Sequence, residues 1–301
     1  MDIINLGIGD PDQPTFDYIV NKMHEAIDDP ANHNYPPYDG TPAYRQAIAD
    51  WYKSRFNVGL DASTEVLSLI GSKEGIAHLA YAYIDPGDIV LVPSPGYPVY
   101  KMGAILTGGL PFFVPLLEKN NFLPDLDAIP DDVAKKAKIM FVNYPNNPTA
   151  AVADLDFYQK LVNWAKANDT LIASDLAYSE MCYDGYKAPS ILQVDGAKDI
   201  AIEFHSLSKS FNMTGWRIGM AAGNADAVKA LGTIKTNVDS GIFKAVQIAG
   251  IEALSKPNTR IHDMNTLYKK RRDTLIGGLK KLGWDILPSK ATFYIWAPVP
   301  P

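Results

Sequence analysis

The 301-residue sequence holds a single cysteine, Cys182, so no internal disulfide can form and no thiolate cluster can hold a metal. Its thiol is read as a small buried hydrophobe in a reducing compartment. Long apolar runs are missing too: no uninterrupted stretch approaches the ~20 residues that a transmembrane helix needs. The N-terminus lacks the basic region, apolar core and cleavage site of a signal peptide, and the expectation is a soluble, cytoplasmic protein. Positive charge is not in excess. Lys and Arg total 28 against 34 Asp and Glu, a net charge of −6, which gives no basic footprint for nucleic acid or an anionic membrane. The five histidines, His24, His33, His78, His205 and His262, are scattered without metal-ligand spacing, and no metal is expected. Phosphate-binding fingerprints are absent or incomplete. There is no Gly-x-x-x-x-Gly-Lys-Ser/Thr, and Gly7-Ile8-Gly9-Asp10-Pro11-Asp12 lacks the third glycine of a dinucleotide motif.

What is present is an ordinary globular composition, 47% hydrophobic and 21% charged, on a length that suits one large or two medium domains. Between about residues 64 and 225 short apolar runs alternate with amphipathic ones. Ile89–Val92, Ile139–Val142, Thr170–Ala173 (leading to Asp175), Ile200–Phe204 and Ile218–Ala222 read as buried strands. Ile76, Leu79, Ala80 and Tyr83, and then Leu155, Tyr158, Leu161, Val162 and Ala165, recur at helical spacing. Strands alternating with helices predict an α/β fold with a doubly wound, mostly parallel sheet. From Ala249 to Leu282 the chain reads as a long charged helical stretch broken near Pro257, and Ala291–Trp296 as a last strand.

In such sheets ligands sit beyond the carboxyl ends of the strands, and the conspicuous polar residues fall there: Asn143 to Asn147, Asp175 to Tyr178, and Ser206 to Lys209. Lys209 ends an apolar run, is flanked by Ser208 and Ser210, and precedes Arg217 by eight positions. A lysine amine condenses with an aldehyde only when deprotonated, so it needs the depressed pKa that burial and a nearby cation such as Arg217 would supply. The hydroxyls and the arginine suit a phosphate. Together they ask for pyridoxal phosphate.

Asp175 at a strand end can pair with a protonated pyridine nitrogen and keep the ring an electron sink, although a helix N-cap is the competing reading. Tyr178 and Asn147 can both donate to a ring phenolate oxygen, while Asn143–Thr149 would be a proline-stiffened turn in any case. Gly71-Ser72-Lys73-Glu74-Gly75 opens a helix whose free N–H groups can cradle phosphate. Tyr97, in Pro95-Gly96-Tyr97-Pro98, can stack on a flat ring.

This set of motifs resembles the fold-type I aminotransferases that use pyridoxal 5'-phosphate: Ser206-Leu207-Ser208-Lys209 with Arg217, Asp175-Leu176-Ala177-Tyr178, and Asn146-Asn147-Pro148-Thr149. The resemblance runs from Asn5 to about Trp296. Its wording is nearest to the LL-diaminopimelate aminotransferases, through Asn5–Asp12, Gly71–Leu79, Pro95–Tyr100 and Phe204–Lys209. The resemblance implies Lys209 as the catalytic lysine that bonds the cofactor and shuttles the proton. It implies Asp175 on the pyridine nitrogen, Asn147 and Tyr178 on the ring oxygen, and Tyr97 on the ring face. Ser72, Lys73, Ser206, Ser208 and Arg217 would surround the phosphate, with Gly9 and Lys73 facing substrate.

Tyr35 matches a tyrosine that reaches into a partner's site, which implies a homodimer with shared active sites. The implied reaction moves an amino group between LL-2,6-diaminopimelate and 2-oxoglutarate, serving lysine biosynthesis. Related enzymes act on aspartate, alanine or aromatic amino acids, and the same scaffold supports β-elimination. A non-catalytic cofactor-binding module is the remaining class, and the net charge argues against its DNA-binding form. The implied division is a large domain over 36–250 and a smaller α+β domain from 1–35 and 251–301.

Two departures stand out. The family carries glycine after Asn-Pro-Thr where this chain has Ala150; if that position needs φ > 0, alanine costs about 1 kcal/mol. Family members also extend further at both ends, and their C-terminal part carries an arginine that clamps the substrate α-carboxylate. Arg260, Arg271 and Arg272 do not match it. The expectation is a truncated small domain that binds cofactor strongly and transaminates weakly.

Overall fold

The computed structural model describes residues 6–7, 9–256 and 259–299. Seven strands make one sheet: β1 (Val66–Leu69), β2 (Ile89–Ser94), β3 (Leu110–Pro115), β4 (Ala137–Asn143), β5 (Leu171–Asp175), β6 (Ala201–Ser206) and β7 (Gly219–Gly223), in the order β1-β7-β6-β5-β4-β2-β3. Neighbours from β3 through β6 are parallel, while β7 runs antiparallel to both β6 and β1. The mixed, mostly parallel α/β sheet is thus as the alternation of runs predicts.

Among the described residues ten α-helices flank or extend it: α1 (Asp17–Ile27), α2 (Pro42–Phe56), α3 (Ser72–Tyr83), α4 (Pro98–Leu106), α5 (Asp131–Ala134), α6 (Leu155–Asn168), α7 (Leu207–Ser210), α8 (Ala225–Val238), α9 (Lys244–Ser255) and α10 (Thr259–Lys281). Local chemistry sets their ends. Asp154 caps α6 by accepting from the Phe157 N–H at 2.8 Å, and Asn224 caps α8 by accepting from Ala227 at 2.8 Å. Pro42 follows the Thr41 cap of α2, where its missing N–H costs nothing.

Because β5 and β6 are covered on both faces, every residue of each is buried; β5 opens as the apolar run Leu171–Ala173, whereas β6 sets Ile202 and Phe204 beside buried Glu203 and His205. Two packed layers result. Leu69, Ile76, Leu79, Ile139, Phe141, Ile202 and Phe204 lie in one, and Tyr52, Met140, Val142, Tyr158, Ile172 and Leu207 lie in the other. Helix α1 packs on α9, and the expected boundary after residue 250 falls within α9.

Three expectations need adjustment or placement. The run Ala291–Trp296 is not a strand. It makes a single bridge, Ala291 with Cys182, and Thr292 at φ +65° turns the chain out of the extended conformation. A strand that the alternation did not announce, β3, lies at the sheet edge, where Pro111 and Pro115 are tolerated because one side of its ladder has no partner strand. The break near Pro257 lies outside the described residues, between the end of α9 and the start of α10, as do Asn5 and Ile8 of the N-terminal motif.

Candidate active site

Parallel strands aim their carboxyl ends at one edge, and the antiparallel β7 brings its beginning to the same edge. That topology gathers Asn143 from the end of β4, Asp175 from the end of β5, Ser206 from the end of β6 and Arg217 from just before β7. In register, Asn143 lies beside Asp175, and Asp175 beside Phe204. A cavity of about 330 Å³ opens there. Its walls include Ser72 and Lys73 from the first turn of α3, Tyr97 at the N-cap of α4, Asn147, Tyr178, Ser208 and Lys209. Gly9 also lines it. Eleven of the twelve site residues expected from sequence therefore meet in one place. Tyr35 does not; it is 80% exposed and outside this cavity.

Lys209 sits in the short helix α7, and its ammonium donates to the Gly9 carbonyl and to Asp10 Oδ1, each at 3.3 Å. Burial pulls its pKa below the usual lysine value; Asp10 opposes that shift and Arg217 adds to it more weakly. The direction is the one a nucleophilic amine needs. Burial is its main source, with the arginine a lesser one.

Asp175 is buried, and that burial pushes its carboxyl up to about 6 against the hydrogen bonds from Tyr100 and the Ala177 N–H. The Tyr100 hydroxyl donates to Oδ2 at 2.7 Å. Oδ1 has no partner among the described residues, and neither has the Ser208 hydroxyl. Buried polar atoms are rarely left so, and both belong to cavity-lining residues. Asn143 ties the floor together: its side-chain N–H donates to the Asp175 carbonyl at 2.7 Å, and its Oδ1 accepts from the Asn147 N–H at 2.7 Å. Ala150 stands at φ +58°, so the conformation that the family's glycine favours is kept here by an alanine.

At the phosphate-like end, Gly71 has φ +80°, and a Cβ there would lie 2.4 Å from Arg217 Nη2. The guanidinium therefore passes directly over the backbone that opens α3, and Arg217 Nη1 donates to the Thr214 carbonyl at 2.8 Å. Free N–H groups of the α3 first turn, the Ser72, Ser206 and Ser208 side chains and Arg217 form a concave, anion-friendly surface. Lys73 adds its ammonium, 5.8 Å from the centre of the Tyr97 ring.

Several wall residues carried little signal in the sequence. Tyr294 donates to or accepts from the Tyr178 hydroxyl at 2.9 Å, and it packs where a Cβ on Gly9 would be, 2.4 Å from its own hydroxyl. It lay in the run read as a strand. Asp10 sat in the Asn5–Asp12 motif, where only Gly9 was given a role. Arg260, Arg271 and Arg272 stand outside the cavity: Arg271 makes a two-point pair with Asp12, and Arg272 pairs with Asp184 and Asp273.

Elsewhere, Glu74, His78 and Asp239 bring their ligand-type atoms within 4.8 Å of one another. The ammonium of buried Lys235 sits among them, 2.7 Å from Asp239 and 3.7 Å from Glu74, so the chain supplies that cluster's cation itself.

The sequence pattern of the aminotransferase class I and II family matches residues 1–301. The chain belongs to that family. It is 60% identical over 300 residues to the LL-diaminopimelate aminotransferase of Halothermothrix orenii, covering 100% of this chain and 77% of the relative. It is 59% identical over 300 residues to that of Aquifex aeolicus, covering 100% and 78%. Among solved structures, substrate-bound BacF from Bacillus subtilis superposes with a TM-score of 0.97 at 41% identity, over 99% of this chain and 76% of that one. A probable N-succinyldiaminopimelate aminotransferase from Thermus thermophilus superposes with a TM-score of 0.93 at 36% identity, over 99% and 80%. This aminotransferase is thus an enzyme that transfers amino groups. Among its described residues, no helix is long and apolar enough to cross a membrane.

Proposed function

We propose that this aminotransferase binds pyridoxal 5'-phosphate in the Lys209 cavity and exchanges an amino group between LL-2,6-diaminopimelate and 2-oxoglutarate. The observation that carries the cofactor reading is the cavity wall itself, where an amine, a carboxylate and an anion cradle face one space. The fit rests on three features: the partnerless Asp175 Oδ1, the partnerless Ser208 hydroxyl, and the Gly71 cradle under Arg217. The substrate reading rests on the names of the relatives at 59% and 60% identity.

When bound, the cofactor supplies an aldehyde and a cationic ring able to take up electrons, chemistry that side chains lack. The chain's residues supply the rest. Lys209, with its lowered pKa, offers an uncharged amine as nucleophile and then moves a proton at the substrate's α-carbon. Asp175 holds a proton at the ring nitrogen. Asn147 and Tyr178 donate toward the ring oxygen, and Tyr97 covers a ring face. Ser72, Lys73, Ser206, Ser208 and Arg217 hold the phosphate, while Gly9, whose missing side chain lets the Tyr294 ring pack against it, presents backbone to the substrate space. We propose further that the enzyme works as a homodimer in which Tyr35 serves the partner's cavity, a reading supported by its exposure and its place outside its own.

The test is a donor–acceptor screen with pyridoxal phosphate present, following glutamate formation beside pyruvate and ammonia release. LL-diaminopimelate with 2-oxoglutarate is expected to be the preferred pair, and Lys209→Ala to lower the rate by roughly a thousandfold or more. Preference for aspartate, alanine or an aromatic donor would replace the substrate assignment, and pyruvate with ammonia would replace transamination by elimination.

A further inference from the structure

Tyr97, the N-cap of α4, and Tyr100 in its first turn stand three residues apart. Tyr97 lines the cavity. Tyr100 does not reach it; it is fully buried beneath, stacked on Phe141 with ring centres 4.9 Å apart and planes 16° from parallel. Its hydroxyl donates to Asp175 Oδ2 at 2.7 Å, a charge-assisted bond in a dry setting. The other carboxylate oxygen, Oδ1, is the one left without a partner.

We infer that Tyr100 is a positioning residue. By occupying Oδ2 it fixes the Asp175 carboxylate so that Oδ1 alone remains for the cofactor's ring nitrogen, and it keeps the proton of that contact on the nitrogen.

Three observations converge on this. First, a carboxylate at the end of β5 can rotate about its Cα–Cβ and Cβ–Cγ bonds; the Tyr100 bond on one oxygen restricts that freedom. Second, burial pushes the Asp175 carboxyl up toward protonation, and the Tyr100 hydrogen bond is the largest influence against it. A carboxylate relieved of its donor would compete harder for the proton it is meant to leave on the ring. Third, Tyr100 belongs to α4, the helix whose N-cap is Tyr97, and its ring is itself clamped on Phe141 of β4. One short helix therefore sets both the ring-facing tyrosine and the carboxylate below it. Tyr100 touches no cofactor or substrate atom and acts only through Asp175.

The inference rests on the proposed role of Asp175 at the ring nitrogen, and a binding cycle separates the two. Apoprotein, wild type and Tyr100→Phe, is titrated at pH 8 with pyridoxal phosphate and with its 1-deaza analogue, which has C–H in place of the ring nitrogen but keeps aldehyde, phenol and phosphate. Wild type is expected to bind pyridoxal phosphate more tightly than the analogue. Tyr100→Phe is expected to lose roughly tenfold in affinity for pyridoxal phosphate, the scale of a hydrogen bond to a charged group. Its affinity for the analogue should change by less than about twofold, because an effect that runs through the ring nitrogen cannot appear without one.

With ¹⁵N-labelled cofactor, the ring-nitrogen resonance of Tyr100→Phe should move toward the unprotonated position. Equal losses for both ligands, or none for either, would overturn the role of Tyr100 while leaving that of Asp175 intact. A wild type that does not discriminate the two ligands would remove the Asp175 reading and this inference with it. Should Tyr100→Phe not fold, 3-fluorotyrosine at position 100 keeps the shape and makes a stronger donor. The ligand preference must then move in wild type's direction or further, and a fall in preference would count against the proposal.

Discussion

Gly71 and Arg217 are a pair in which backbone geometry and charge depend on each other. Gly71 takes φ +80°, open to glycine and strained for anything else, and a Cβ there would lie within 2.4 Å of the guanidinium it supports. Arg217, itself at φ +52°, is held by the Thr214 carbonyl so that its side chain crosses that glycine. Gly71→Ala is expected to destabilise the fold by about 1–2 kcal/mol through the left-handed backbone alone. It should also push Arg217 off the cradle and weaken pyridoxal phosphate binding several-fold. Thermal unfolding and a cofactor titration would report the two effects separately; an unchanged cofactor affinity would show that Arg217 is not a phosphate ligand. Ala150 makes the complementary point, since at φ +58° it holds a left-handed conformation without being glycine.

Among the elements, β6 shows how one strand serves both stability and the site. Its alternation sends Ile202 and Phe204 to one apolar layer and Glu203 to the other side. There the Glu203 carboxylate accepts from Ser190 Oγ (2.6 Å), Tyr52 (3.1 Å), the Ile191 N–H (3.1 Å) and Ser174 Oγ (3.2 Å). Burial still outweighs those donors and pushes its pKa up to about 7, from an ordinary value of 4.5.

Because the folded value is the higher one, the protonated group adds stability that is complete below about pH 4.5 and fades as pH rises through about 7. Glu203→Gln keeps a group that can satisfy the surrounding hydroxyls but does not titrate. Between pH 5 and pH 8 the wild type should lose roughly 2–3 kcal/mol more stability than this variant, measured by denaturant titration at each pH. Parallel pH profiles for the two proteins would show that Glu203 does not titrate in that range.

The other strands tell why some elements are readable in sequence and others are not. Both-face burial makes β4 and β5 continuous apolar runs, whereas the edge strand β3 carries Pro111 and Pro115 and hides its pattern. The run from Ala291 has the right composition for a strand, but a single backbone angle at Thr292 ends it.

At the scale of the whole molecule, the proposed dimer turns on Tyr35. A residue that acts across an interface can be supplied by a partner whose own site is dead. Tyr35→Ala and Lys209→Ala, each expected to be impaired alone, should regain activity when co-assembled, because a mixed dimer keeps one site with both residues. Random pairing would restore about a quarter of wild-type sites. No recovery above the two separate activities would place Tyr35 outside the partner's chemistry. An independent measure of mass in solution would then say whether a dimer exists at all.

By itself the sequence determined the class of fold and named most of the residues that line the candidate cavity: runs of buried strand with polar residues at their ends are enough to predict a mostly parallel sheet with a candidate ligand site at one edge. Lys209, Asp175, Asn147, Tyr178, Tyr97 and Arg217 were legible because each stands at a local transition, where a strand or turn gives way to a helix or another strand. Contacts that join distant parts of the chain were not legible, because no spacing encodes them. Tyr100 beneath Asp175 is separated from it by 75 positions, Tyr294 from Tyr178 by 116, and Asp10 from Lys209 by 199. Sheet order decides which of these meet, and burial then decides what charge they carry. Tertiary structure alone made Lys209 a lysine with a lowered pKa and left one oxygen of Asp175 free, because both follow from what is packed around the group and from the water packing excludes.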